Sequence, residues 1–166
     1  MMINKMPTLQ QAIQRYGHID FAARVWPDQQ KWMTMLHIDP TAFPNWKVIG
    51  TDHPVHAIYC NIDMAPALRE ALEQVRARGH GGLLKSFDGC FNIRMVRGSS
   101  GKPSLHSYGL AIDINAHDNE LGQTTGGFYD QPDFVKCFTA QEFDWGGNFK
   151  QRKDPMHFSF GWEHST

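Results

Sequence analysis

At 166 residues the chain has the length of one domain and can withdraw roughly 70% of its unfolded surface from water on folding. Apolar residues make up 41% and charged residues 20%, which excludes a disordered chain, and no apolar run reaches the roughly 18 residues of a membrane-spanning helix. A net charge of -1 without a basic run argues against a bulk electrostatic hold on nucleic acid or anionic lipid.

In chain order, Thr8-Leu9-Gln10-Gln11 has the spacing of a capping box and predicts a helix start, with Gly17 as its stop. Asp28 is placed to cap a second helix through Trp32, Met35 and Leu36, ending before Pro40. The stretch from Thr41 to Pro54, broken by prolines and glycine, reads as loop. Val55 to Cys60 predicts a strand. From Asp63 to Arg78 the pattern is helical, with Asp63 as cap, Pro66 in the first turn, Leu68, Leu72 and Val75 on one stripe, and Gly79 as stop. The period then falls to two. Phe91 to Met95 predicts a strand with Asn92 and Arg94 on its polar face. Leu110 to Asn115 predicts another, with Ala111, Asp113 and Asn115 opposite the large apolar residues. Met156 to Phe160 predicts a third, displaying His157 and Ser159. The expected fold is α+β, a small mostly antiparallel sheet with helices packed on one side. The expected layout is a single domain over 1–166, with a helical extension over 1–50 packed on a core over 55–160.

The polar groups on those strands are the ingredients of a metal site. His106 stands just before one strand, Asp113 on it and His157 on the last. Zinc accepts imidazole nitrogen and carboxylate oxygen, and catalytic sites combine three such ligands with an open position. Gly109 lets the backbone turn so that His106 and Asp113 converge. Asp154, held extended by Pro155, is placed to act as general base. Arg94 can stabilise an oxyanion or bind a substrate carboxylate, and Ser104 can add a hydrogen bond. Other signals read as ordinary structure. His53 and His56 have H-x-x-H spacing but no adjacent glutamate, and His117 and Asp118 read as loop polar residues. The three cysteines, Cys60, Cys90 and Cys137, are odd in number and lack CxxC spacing, so they are expected to be reduced structural thiols.

The string Ser104-Leu105-His106-Ser107-Tyr108-Gly109-Leu110-Ala111-Ile112-Asp113 resembles the SxHxxGxAxD signature of the VanY-like D-alanyl-D-alanine carboxypeptidase and L-alanyl-D-glutamate endopeptidase family. These are zinc peptidases of bacterial cell walls and phage endolysins, related in fold to the hedgehog signalling domain. Trp145-Gly146-Gly147 and Asp154-Pro155-Met156-His157 resemble the family's second block, and Phe91-Asn92-Ile93-Arg94 its arginine-bearing strand. The resemblance spans roughly residues 55 to 160; the helical opening is similar to that of small phage-encoded members. It implies His106, Asp113 and His157 as ligands of one Zn2+, Asp154 as catalytic acid/base, and Arg94 or Arg97 as stabiliser, with Arg94 favoured by its strand face. Ser104, Arg97 and Trp145 are expected substrate contacts, the tryptophan as part of a cleft wall. One departure is Ser159, where many relatives carry an acidic residue two after the last ligand.

The expected function is therefore hydrolysis of peptidoglycan stem peptides, as a carboxypeptidase or an endopeptidase. A monomer is expected, with no nucleic-acid partner and no membrane insertion. The opening MMINKMPTLQQ lacks the apolar stretch of a secretory signal, so an endolysin held in the host cytoplasm until release to the wall or periplasm is the expected setting. The alternatives are a non-catalytic zinc module that binds peptidoglycan and a structural virion component.

Overall fold

The computed structural model describes residues 9–99 and 101–160. Its fold is α+β. Helix α1 (Leu9–Tyr16) and the single turn α2 (Gln29–Trp32) precede β1 (Met33–His37), β2 (Lys47–Val48) and β3 (Ala57–Asn61). Helix α3 (Ala65–Ala77), β4 (Ser86–Gly89), β5 (Ala111–Ile114), α4 (Pro132–Thr139), β6 (Asp144–Trp145) and β7 (His157–Ser159) follow. The main sheet runs β2-β4-β5-β7-β6; β2 and β4 are parallel and every other pair is antiparallel. Strands β1 and β3 form a separate antiparallel ribbon, from Met33 opposite Asn61 to His37 opposite Ala57.

The even residues of β5 and β7 build the core. Phe158 packs its ring 4.5 Å from that of Phe138, and Phe134 lies 5.5 Å from Phe138, so α4 covers the apolar face of the sheet. Leu68, Ala71, Leu72 and Val75 of α3 are buried in the same core. Pro66 stands in the first turn of α3, and Gly79 follows its end with φ +74°. With one face of β5 and β7 committed to these helices, the odd residues Asp113 and His157 share the other.

Three sequence expectations are corrected. Helix α2 stops at Trp32 and residues 33–37 form a strand, because β3 offers them a hydrogen-bonding partner and tertiary pairing overrides local spacing. Met35, which a helical stripe would have buried, is 51% exposed. Phe91 to Met95 is not a sheet strand; the strand beside β5 lies earlier, at Ser86–Gly89, and the chain leaves the sheet at Gly89 with φ +131°. Asp63 does not cap α3. Its carboxylate accepts hydrogen bonds from Arg15 Nε (2.7 Å) and Tyr16 Oη (2.7 Å) instead.

Gly17 ends α1 as expected, with φ +88° and its N–H on the Ile13 carbonyl at 2.9 Å. Thr8 of the expected capping box lies outside the described residues. Residues 9–50 contain less helix than expected. Tyr16, Trp26, Trp32 and Tyr108 form an aromatic cluster joining this opening to the segment that bears His106, and Tyr108 Oη donates to the Gly17 carbonyl (3.1 Å).

Candidate metal centre

His106 sits in a short 3-10 turn, Leu105–Tyr108. Ser104 Oγ accepts the His106 N–H at 3.3 Å and so caps the turn, while Gly109 closes it at φ +65°. A methyl group at Gly109 would also meet the flexible tip of Met33 at 2.7 Å and the Asn61 backbone nitrogen at 3.0 Å, but it is the left-handed conformation that demands glycine there. Asp113 and His157 face each other directly across β5 and β7. His106 Nε2 lies 3.2 Å from Asp113 Oδ2, and His157 Nδ1 lies 3.1 Å from Asp113 Oδ1. All three residues are buried, and one ligand atom from each falls within 4.8 Å of the others.

The donor set fits a divalent cation. His106 Nδ1 lies 2.7 Å from the Cys90 carbonyl, which can only accept, so the ring proton belongs on Nδ1 and a lone pair is left on Nε2. That Nε2 is buried and makes no hydrogen bond. Burial opposes ionisation of Asp113, while positive charge on its two histidine neighbours holds the carboxyl well below the ordinary carboxylate range; with the imidazoles neutral, a bound cation would have to supply that charge. Two nitrogens and one anionic oxygen from three buried side chains make a donor set of the kind zinc takes at catalytic sites. Among the described residues this is the one such group of histidine, cysteine and acidic side chains.

A cleft opens beside the cluster, lined by Arg94, Arg97, Ser104, Asp113, Arg152, Asp154 and His157 together with Val96, Leu121 and Met156. Asp154 stands in the turn before β7, where its carbonyl accepts the His157 N–H (3.0 Å) and its own N–H donates to the Gly146 carbonyl (2.9 Å). A side chain on Gly146 would run into the Asp154 carbonyl, so the glycine is what lets this turn lie so close. Trp145 is buried beneath the turn, its indole N–H donating to the Pro155 carbonyl at 2.8 Å. Trp145 thus props the turn that bears Asp154 from below and is not among the cleft-lining residues.

Arg94 reaches the cleft from irregular backbone laced to the His106 turn. Its N–H donates to Ser107 Oγ (3.1 Å), and its carbonyl accepts from Ser107 Oγ (2.9 Å) and from Ser104 N (3.0 Å). Arg97 lines the same cleft, and its carbonyl accepts a hydrogen bond from Arg152 Nη2. Arg152 escaped the sequence reading; its only local signal is a position two before Asp154, and its partner lies 55 residues away. Asp144 lies outside both the cleft lining and the ligand cluster. It stands opposite Ser159 in the β6–β7 register, half-buried, with its pKa raised by burial and lowered in part by His157.

His53 and His56 are exposed and belong to no ligand cluster, and Asp118 pairs with Lys85 at 2.7 Å. Cys60, Cys90 and Cys137 are free and buried; burial pushes the Cys60 thiol up to about 11 and Cys90 well above its ordinary value, so neither supplies a thiolate.

Residues 97–160 match the family model described as D-alanyl-D-alanine carboxypeptidase. The VanY-like resemblance is thereby shown over the segment that contains Ser104, His106, Asp113, Trp145, Asp154 and His157; Arg94 lies just outside it. The match supports a peptidase, of the peptidoglycan-acting metallopeptidase kind. No curated protein matches the chain.

Proposed function

We propose that the chain is a zinc-dependent peptidase that hydrolyses peptidoglycan stem peptides, with His106, Asp113 and His157 as zinc ligands. The observation that carries this reading is the buried histidine–aspartate–histidine cluster opening on the same cleft as Asp154. Zinc held there would supply Lewis-acid chemistry, able to polarise a carbonyl and to make a water acidic enough to deprotonate near neutral pH. Asp154 takes the proton from the attacking water and passes it to the leaving amine. Arg94 places its guanidinium toward the developing oxyanion, and Ser104, whose hydroxyl already caps the His106 turn, keeps that histidine in position.

The reading covers both an L-alanyl-D-glutamate endopeptidase and a D-alanyl-D-alanine carboxypeptidase. It includes a phage endolysin role, as a monomer released from the host cytoplasm to the wall, supported by the resemblance of the helical opening to small phage-encoded members. Purified peptidoglycan is digested with the zinc-loaded and the chelated protein, and the fragments are weighed by mass spectrometry. Zinc-dependent appearance of new amino termini supports an endopeptidase; release of D-alanine alone defeats that version in favour of the carboxypeptidase. Binding to the wall without any cleavage, at full zinc occupancy, would establish the non-catalytic module instead.

A further inference from the structure

The cleft holds more positive charge than the reaction uses. Arg94, Arg97 and Arg152 line it against two carboxylates, Asp113 and Asp154, and Asp113 is already engaged between two imidazoles. Outside the cleft Arg15 is closed on Asp63 and Arg76 on Glu73, whereas Arg24, Arg69 and Arg78 have no ion pair among the described residues; what distinguishes the three cleft arginines is that they converge on one concavity. Among the described residues none of the three cleft arginines has a carboxylate within ion-pair distance. Arg94 Nη1 donates to the Met95 carbonyl at 3.1 Å and Arg152 Nη2 to the Arg97 carbonyl. A guanidinium has five donors in a planar fork, so a single carbonyl leaves an edge able to grip a carboxylate with two parallel bonds.

Arg152 spans the cleft mouth. It reaches from the loop before Asp154 to the turn at Arg97 and Gly98, lying against Gly98 at a distance where a Cβ would make ordinary contact, 3.7 Å from both Nη1 and Nη2. The contact places two guanidinium-bearing residues side by side at the rim, on loops that converge only in the folded chain.

We propose that Arg152 is a specificity-determining residue which, with Arg97, forms an anion subsite reading a free carboxylate on the peptide that flanks the scissile bond. The proposal rests on the peptidase reading for its substrate class, acidic peptides. Arg152 acts on binding, whereas Asp154 and Arg94 act on the reacting atoms.

The test compares a synthetic L-alanyl-D-glutamyl peptide bearing free carboxylates with the same peptide amidated at those groups. Hydrolysis is measured for zinc-loaded wild type, Arg152→Ala and Arg152→Lys, and calorimetry follows binding of both peptides in the Asp154→Ala background, where substrate persists. Wild type favours the acid; Arg152→Ala raises KM and Kd for the acid about tenfold while kcat stays within about twofold and the amide is unaffected. Arg152→Lys keeps the charge without the fork and recovers part of the preference. Equal losses on acid and amide, or a fall in kcat alone, overturn the proposal and make Arg152 a loop brace. If neither peptide nor a D-alanyl-D-alanine peptide is cleaved but acid-over-amide binding through Arg152 persists, the peptidase reading fails and the anion subsite stands. Cleavage without any acid preference has the reverse meaning.

Discussion

Two carboxylates in this molecule are held below their ordinary pKa by different means. Asp63 anchors the opening region: burial opposes its charge, but hydrogen bonds from Arg15 and Tyr16 prevail, and a full positive charge neutralises it on the spot. Asp113 is far more buried and has only imidazoles for partners, one of which keeps a buried nitrogen free of hydrogen bonds. The first arrangement is complete as it stands and serves to hold α1 against the start of α3. The second is an anion and lone pairs converging with no permanent cation, which is what a metal-binding cluster requires. Arg15 is closed on an acid, whereas Arg94, Arg97 and Arg152 gather in the cleft without one among the described residues.

The sharpest way to break this comparison is to remove a donor. His157→Ala is expected to lower bound zinc from about one ion per chain to near zero and to abolish wall-peptide cleavage, as read by elemental analysis and a turbidity assay. If zinc stays stoichiometric in that variant, the cluster is not the metal centre. Next in size, Asp154→Asn should keep the metal and lower kcat by about 10²–10⁴-fold, because only the proton shuttle is lost. An unchanged kcat would remove Asp154 from the mechanism.

Gly109→Ala probes the backbone that joins His106 to Asp113. A left-handed φ and the Met33 side chain both oppose the new methyl, so a loss of about 2 kcal/mol and a fall in Tm of about 5 °C are expected. The smallest effect belongs to the opening region. Asp63 is depressed in the folded state, so its contribution is fully present above the unfolded value of about 4 and disappears as pH falls through the lower folded value. Screened by partial exposure, it amounts to about 0.5–1 kcal/mol. Thermal melts of Asp63→Asn should therefore show a lower Tm at pH 7 and convergence with wild type toward pH 2. A constant gap across that range would show that the pair is not the source.

Much of the site was legible in local pattern. Alternation along Leu110–Asn115 and Met156–Phe160 put Asp113 and His157 on polar faces, and the strands pair so that these two residues oppose each other. Gly109 was legible too, since a left-handed turn is a requirement of a single residue. The arginine side was legible in residue type but not in backbone: residues 91–95 alternate like a strand, yet β4 occupies that place in the sheet and Arg94 is held by the His106 turn. Trp145 read as a wall because flat aromatics line clefts, whereas its indole was needed below Pro155.

What the sequence by itself determined are the properties carried over a few residues: the apolar and polar faces of β5 and β7, the stops at Gly17 and Gly79, and the ligand types that make a zinc site conceivable. Tertiary structure alone decided that Met33–His37 pairs as a strand, that Asp63 serves Arg15, and that Arg152 meets Arg97 across 55 residues. The physical reason is range. Dihedral preference and side-chain period act within a turn or a strand, while a hydrogen bond or ion pair between distant segments exists only after packing brings their backbones together.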